Sequence, residues 1–239
     1  TVTTGGSGTC TAVVQLDGTW SCTLSGPVVD GDDIMATQDD PAGNTSPQTT
    51  ELGGIDTAAP DVPTVTPLLT NDVTPVISGT AEANSTVTVQ VGGATYTTTA
   101  SPTGVWSIDL DTQAPDSGVL SLDTNGANDV TATATDAVGN TSAPDLTSGE
   151  LVIDTTAPTA PSIDPVNENT NPVTGLSEPG ALITLTGVVC DNDPVFADVN
   201  GVWSCDVTST APLTPGDVIS ATATDPAGNE SGPGTATVG

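Results

Sequence analysis

The chain has 239 residues, 30 acidic side chains and no Lys, Arg or His, giving a formal net charge of −30. Recognition of phosphate and nucleic acid runs on Lys and Arg, so most of it is excluded and no nucleic-acid partner is expected; the same absence argues against docking on an anionic membrane surface. The same absence removes serine triads, histidine metal sites and Schiff-base chemistry, which leaves a carboxylate pair as the remaining catalytic option.

No run approaches the roughly eighteen apolar residues of a membrane span, and no charged and apolar leader opens the chain, which reads as an excised or mature segment. Thr, Val, Ala, Gly and Pro dominate and aromatics are 2%. That profile predicts short strands and tight turns with little helix.

In chain order, Thr1 to Gly5 reads as a short strand similar to Ile183 to Gly187. Trp20 follows a turn at Gly18, and Ile34, Ala36 and Gln38 alternate before the turn Asp40 to Asn44. A linker, Asp56 to Pro60, opens the next unit. Strands are predicted over 76–80 and 87–91, with a turn at Glu82 to Asn84 between them. Trp106 follows Gly104, and Val130, Ala132 and Ala134 precede the turn Asp136 to Asn140. The third unit repeats the plan with a linker at Asp154 to Pro158. Its predicted strands are 162–166, 171–175, 182–189, 202–207, 218–224 and 235–238, with turns at Glu178 to Gly180 and Asp225 to Asn229.

About seven short strands per unit of roughly a hundred residues predict an all-β chain of tandem immunoglobulin-like Greek-key β-sandwiches. The units are 1–55, 56–153 and 154–239. The first has nothing corresponding to the stretch from Asp154 to about Leu182, so its front strands are missing. Either the unit is cut from a longer array, or a neighbouring chain supplies the strands.

Cys10 with Cys22 and Cys190 with Cys205 form two local pairs, and the middle unit has no Cys. Joint presence or joint absence predicts a disulfide within units one and three, hence a secreted or cell-surface setting.

Only six of the acids are Glu. Asp is a short, stiff oxygen ligand suited to calcium. In such a sandwich the linker and two turns share one pole. That predicts metal sites from Asp56, Glu82 and Asp136 in unit two, and from Asp154, Glu178 and Asp225 in unit three. Unit one keeps only Asp39 and Asp40. Asp32 and Asp217, at the opposite poles, could join the next unit's site. The competing account is that each turn Asp caps backbone N–H groups while Gly takes positive φ. The Trp residues recur at one place in the repeat and are predicted to pack in cores rather than to bind sugar.

The run Val218 to Asn229, with Asp154-Thr155-Thr156-Ala157-Pro158 and Trp203, resembles the bacterial Ig-like repeats of giant secreted Gram-negative adhesins, of the repeats-in-toxin and biofilm-associated type. The resemblance implies a non-catalytic stalk of tandem domains with calcium at the linkers, whose partners are neighbouring repeats of the same protein. The alternative is a subunit of a self-assembling filament, a homopolymer in which a neighbour completes the first unit. A carbohydrate-binding module and a carboxylate-pair glycosidase are the remaining alternatives.

Overall fold

A computed structural model describes residues 2–4, 8–49 and 55–239. All of its regular elements are strands. In the first unit these are β1 (Val2–Thr4), β2 (Thr9–Cys10) and β3 (Ile34–Ala36), with β1 central and antiparallel to both neighbours. Thr1 and Gly5 of the predicted opening strand lie outside the described residues.

The second unit holds β4 (Thr64–Val65), β5 (Leu68–Thr70), β6 (Val76–Thr80), β7 (Thr86–Val91), β8 (Ala94–Thr99), β9 (Val105–Asp109), β10 (Ser117–Gly118), β11 (Asn125–Asn128), β12 (Val130–Thr135) and β13 (Leu151–Asp154). They assemble as β4-β6-β9, β10-β8-β7-β12 and β11-β13-β5, the last with β5 and β13 parallel. The third unit holds β14 (Val173–Leu176), β15 (Leu182–Thr186), β16 (Val195–Phe196), β17 (Val202–Cys205), β18 (Val218–Thr224) and β19 (Gly234–Thr237), in sheets β14-β17 and β16-β15-β18-β19.

Alternation decides which side of each strand is buried. On β7, Val87, Val89 and Val91 are at most 2% exposed, while Thr86 and Gln90 face water. β12 pairs with it residue by residue, placing Val130, Ala132 and Ala134 beside them in the same core. The third unit repeats the pattern with Ile183 on β15 and Ile219, Ala221 and Ala223 on β18, the last three fully buried. Each such Val or Ile contributes about 1.5–3 kcal/mol relative to an exposed side chain.

Residues 162–166, predicted as a strand, run beside β14 through Ser162 N–H to Leu176 O (2.8 Å) and Asp164 N–H to Thr174 O (2.9 Å) without forming a full ladder. The strand predicted over 182–189 stops at Thr186, because Gly187 has φ +79° and the backbone oxygen of Val218 fills the place of a Cβ.

Trp106 and Trp203, each 1% exposed, pack in their cores as expected, whereas Trp20 is 48% exposed and does not. Each faces a Gly across the ladder, Gly79 on β6 and Gly175 on β14. The indole lies over the bare Cα, leaving no room for a side chain.

The disulfides Cys10–Cys22 and Cys190–Cys205 are formed as the sequence predicts. The second spans 15 residues, and closing a loop of that size contributes about 3 kcal/mol, mainly by restricting the unfolded chain. Reduction should therefore lower the unfolding midpoint of the third unit and leave that of the Cys-free second unit in place. Calorimetry with and without dithiothreitol reads both.

Candidate functional site

The Asp-x-x-Gly-Asn turns fold in the same way in all three units, and the reason is local. In the second, Asp136 Oδ1 accepts the N–H groups of Val138 (2.9 Å), Gly139 (2.7 Å) and Asn140 (2.9 Å). Its Oδ2 accepts Asn140 Nδ2 (2.7 Å). Gly139 supplies the φ of +103° that closes the turn. Asp225 is bonded likewise to the Gly228 and Asn229 N–H groups and to Asn229 Nδ2, and Asp40 to Ala42 and Asn44.

These bonds favour the charged carboxylates. For Asp40 the Asn44 side chain, followed by its backbone N–H, holds the pKa below the ordinary value. For Asp136 and Asp225 burial is the largest single influence and pushes the pKa up. The Asn side chain and backbone donors together outweigh it, so both remain lowered. A group with a lowered folded pKa stabilises above its unfolded pKa of about 3.9 and loses that contribution as pH falls through the folded value. Acid also relieves the self-repulsion of 30 carboxylates, and the sequence pI is about 4.1. The thermal midpoint should therefore hold or rise from pH 7 to about 4.5, then fall steeply below pH 4 as the turns protonate. Scanning calorimetry across pH 2–7 checks this, and a midpoint that keeps rising to pH 2 contradicts it.

The turn Asn has a second partner in two units. Asn140 Nδ2 reaches the carbonyl of Asp56 (3.1 Å), and Asn229 Nδ2 reaches that of Asp154 (2.7 Å). One amide thus ties the turn to the linker. At the second-to-third junction the other side is also held. Asn125 Oδ1, at the start of β11, accepts Thr155 N–H (2.9 Å), Thr155 Oγ1–H (2.9 Å) and Thr156 Oγ1–H (3.0 Å). Just past β5, Asn71 N–H donates to Ala227 O (3.0 Å) within the third unit's turn. At the first-to-second junction Asp30 Oδ1 takes the place of Asn125 and accepts Thr57 N–H (3.0 Å).

The structure thus brings Asp154 together with Asp225, and Asp56 with Asp136, through one Asn each. The carboxylates of Asp56 and Asp154 cap their own linkers, at Ala58 N–H and Thr156 N–H. Glu82 is exposed in a shallow depression with Asp61, and Glu178 is exposed at its turn. Asp39 accepts Thr45 Oγ1–H, and the Asp32 and Asp217 carboxylates accept N–H groups of their own turns. Among the described residues, no three acidic or thiol groups come together in a way that would hold a metal.

Residues 65–155 match the family described as bacterial Ig-like domain, and 157–239 that described as bacterial Ig domain. These two units are bacterial Ig-like domains. The chain carrying this bacterial Ig-like pair is similar to several solved structures. One is a 1.5-MDa bacterial ice-binding adhesin, 21% identical over 88% of this chain and 74% of that one, at TM-score 0.34. A Ca2+-stabilised ice-binding adhesin of an Antarctic bacterium is 27% identical over 87% of this chain and 56% of that one, at 0.34. The BSP domain of a biofilm-associated protein is 22% identical over 74% of this chain and 29% of that one, at 0.27. The chain spans less than two thirds of the last two. No curated protein matches it.

Sequence reasoning found the turn Asp and Asn but missed Asn71 and Asn125; Asn71 acts through its backbone N–H, which no side-chain pattern marks, and Asn125 sits in a polar stretch. It also missed Ser46, Ser142 and Ser231. Their Oγ atoms accept the N–H groups of Gln38, Ala134 and Ala223 and pin each turn to its strand. Their constant spacing of six residues after the turn Asp was the available signal.

Proposed function

We propose that the chain is a non-catalytic extender segment of an extracellular bacterial adhesin, built from units 1–55, 56–153 and 154–239. The observation that carries this reading is the second-to-third junction. β13 leads straight into the linker, Asn125 and Asn229 fasten that linker from both sides, and Asn71 N–H holds the third unit's turn at Ala227 O. A stalk needs this property, because each junction without such contacts behaves as a free hinge. The two disulfides suit a secreted or cell-surface setting.

Calcium belongs to the same proposal as an addition to the amide clamp. Its support is the charge pattern, since 30 carboxylates have no Lys, Arg or His to compensate them. The residues as arranged do not form a calcium cage. Asp136 and Asp225 already accept three or four donors each, and Glu82 and Glu178 stand apart. Divalent cations would then act on the exposed linker and turn acids from outside.

Small-angle scattering of the chain, with millimolar calcium and with excess chelator, tests both parts. The extender reading requires an elongated particle whose maximum dimension persists in chelator. A particle whose units tumble freely in both conditions rejects it. A chelator-independent unfolding midpoint removes calcium from the account while leaving the stalk.

A further inference from the structure

One buried acid of the second unit serves neither a turn nor a linker. Glu150 is 5% exposed and stands where the last strand leaves its neighbour. Up to that point the segment after the Asp136 turn runs along β12, with Ser142 N–H to Ala134 O (2.8 Å) and Asp145 N–H to Ala132 O (2.9 Å). Beyond Glu150 it crosses over, and β13 pairs with β11 and β5 instead. In the third unit the last strand does not depart, since β19 stays on β18 as far as the pair Val218–Thr237. The departure opens a gap beside Val130, whose N–H donates to Glu150 Oε2 (3.2 Å).

The other oxygen, Glu150 Oε1, is buried and has no hydrogen-bond partner. A carboxylate charge in such a place is very costly unless it is paired or bound to a metal. Proteins usually pair it with Lys, Arg or His, and this chain has none. Its countercharge therefore comes from solution. A second carboxylate stands at the same gap. Asp129, next to Val130, accepts Gly149 N–H on Oδ1 (2.7 Å), so the two acids bridge the diverging strands in opposite directions. Asp129 is exposed and gives the gap a face on water. Asp145, further along the same edge, is engaged by the N–H and Oγ1–H of Thr147.

We infer that Glu150 and Asp129 hold a hard divalent cation, of the calcium class, in the gap between β12 and β13. The ligands are oxygens only, as such ions require, and backbone carbonyls and water complete the shell. A divalent ion matches the charge of both carboxylates, whereas one proton would neutralise only one of them. Bound there, it ties the start of β13 to β12, and β13 is the strand that runs into the linker. The site lies within the second unit and shares no residue with the linker and turn acids. The inference does not rest on the extender reading, because it concerns what stabilises the second unit whatever the chain is used for.

The test uses the full chain, with calcium chloride as the probe and the third unit as the internal control. After exhaustive chelation, millimolar calcium should raise the unfolding midpoint of the second unit by about 5 °C or more. Glu150→Gln keeps an oxygen for the Val130 N–H and removes the charge. It should abolish that rise, and in chelator its second unit should melt above that of the parent. Titration calorimetry should count one calcium fewer per chain in Glu150→Gln. Asp129→Asn, at an exposed position, should weaken the same site roughly tenfold or more. The linker and turn acids are identical in all three proteins, so calcium acting there shifts them alike. An equal rise in the parent and Glu150→Gln therefore overturns the inference. So does a parent that ignores calcium while Glu150→Gln is the more stable, because a proton would then be the countercharge. If Glu150→Gln does not fold, Asp129→Asn decides, and an unchanged calcium affinity in that variant overturns the inference.

Discussion

Gly175→Val is expected to cost the third unit about 3–5 kcal/mol, enough to unfold it selectively near room temperature. The new Cβ would overlap the carbonyl oxygen of Ser162 and stand 2.6 Å from Trp203 Cζ2. Neither can retreat cheaply. Ser162 is fastened to β14 by its N–H, and Trp203 is 1% exposed within the core of Ile183, Ile219 and Val173. Gly79→Val should do the same to the second unit through Thr64 and Trp106. The two variants give mirror-image calorimetric results, each removing one transition and sparing the other. A loss below about 1 kcal/mol would show that the Trp–Gly stack is not the tight contact described. The choice of residue is instructive, since Gly elsewhere in a strand weakens it. Here the indole covers the bare backbone, which makes Gly the stabilising choice.

The strands of the second and third units were legible because alternation is a direct print of one-sided burial. The runs 76–80 and 218–224 coincide with β6 and β18 residue for residue. Less legible was anything that depends on two distant segments meeting. Gly79 and Gly175 fall inside the predicted strands 76–80 and 171–175 with nothing local to single them out, whereas each is the partner of a Trp roughly thirty residues away. The acids were legible as a recurring set but not as an arrangement. Asp136 and Asp225 satisfy their own turns, Asp56 and Asp154 cap their own linkers, and a side-chain amide joins them. A carboxylate two to four residues from free N–H groups meets those donors before it meets another acid. The capping account from sequence thus explains the turn Asp, while the recurring Asn explains the linker.

Asp225→Ala should have the second-largest effect, because it strips one group that serves both fold and junction. Asp225 is 6% exposed and accepts from Gly228 N–H, Asn229 N–H and Asn229 Nδ2. Leaving buried donors unpaired costs about 1–3 kcal/mol, more when the lost partner was charged. The third unit should therefore lose about 2–3 kcal/mol. Freed from Asp225, the Asn229 amide also loses its aim at Asp154 O. Asp40→Ala in the first unit removes the same turn bonds from an exposed site with no such linker contact, and its effect should be the smaller. The two roles of Asp225 separate through Asn125→Ala. Asn125 is exposed and its side-chain oxygen bonds the linker threonines, so replacing the side chain should leave both unfolding transitions nearly in place. What it should change is motion between the units. In NMR relaxation, the second and third units of the parent chain should share one tumbling time, and in Asn125→Ala they should diverge. Asp225→Ala should show both changes. Equal tumbling times in all three proteins would mean that the amide clamp contributes nothing to stiffness and that the backbone bond from Asn71 to Ala227 holds the junction alone.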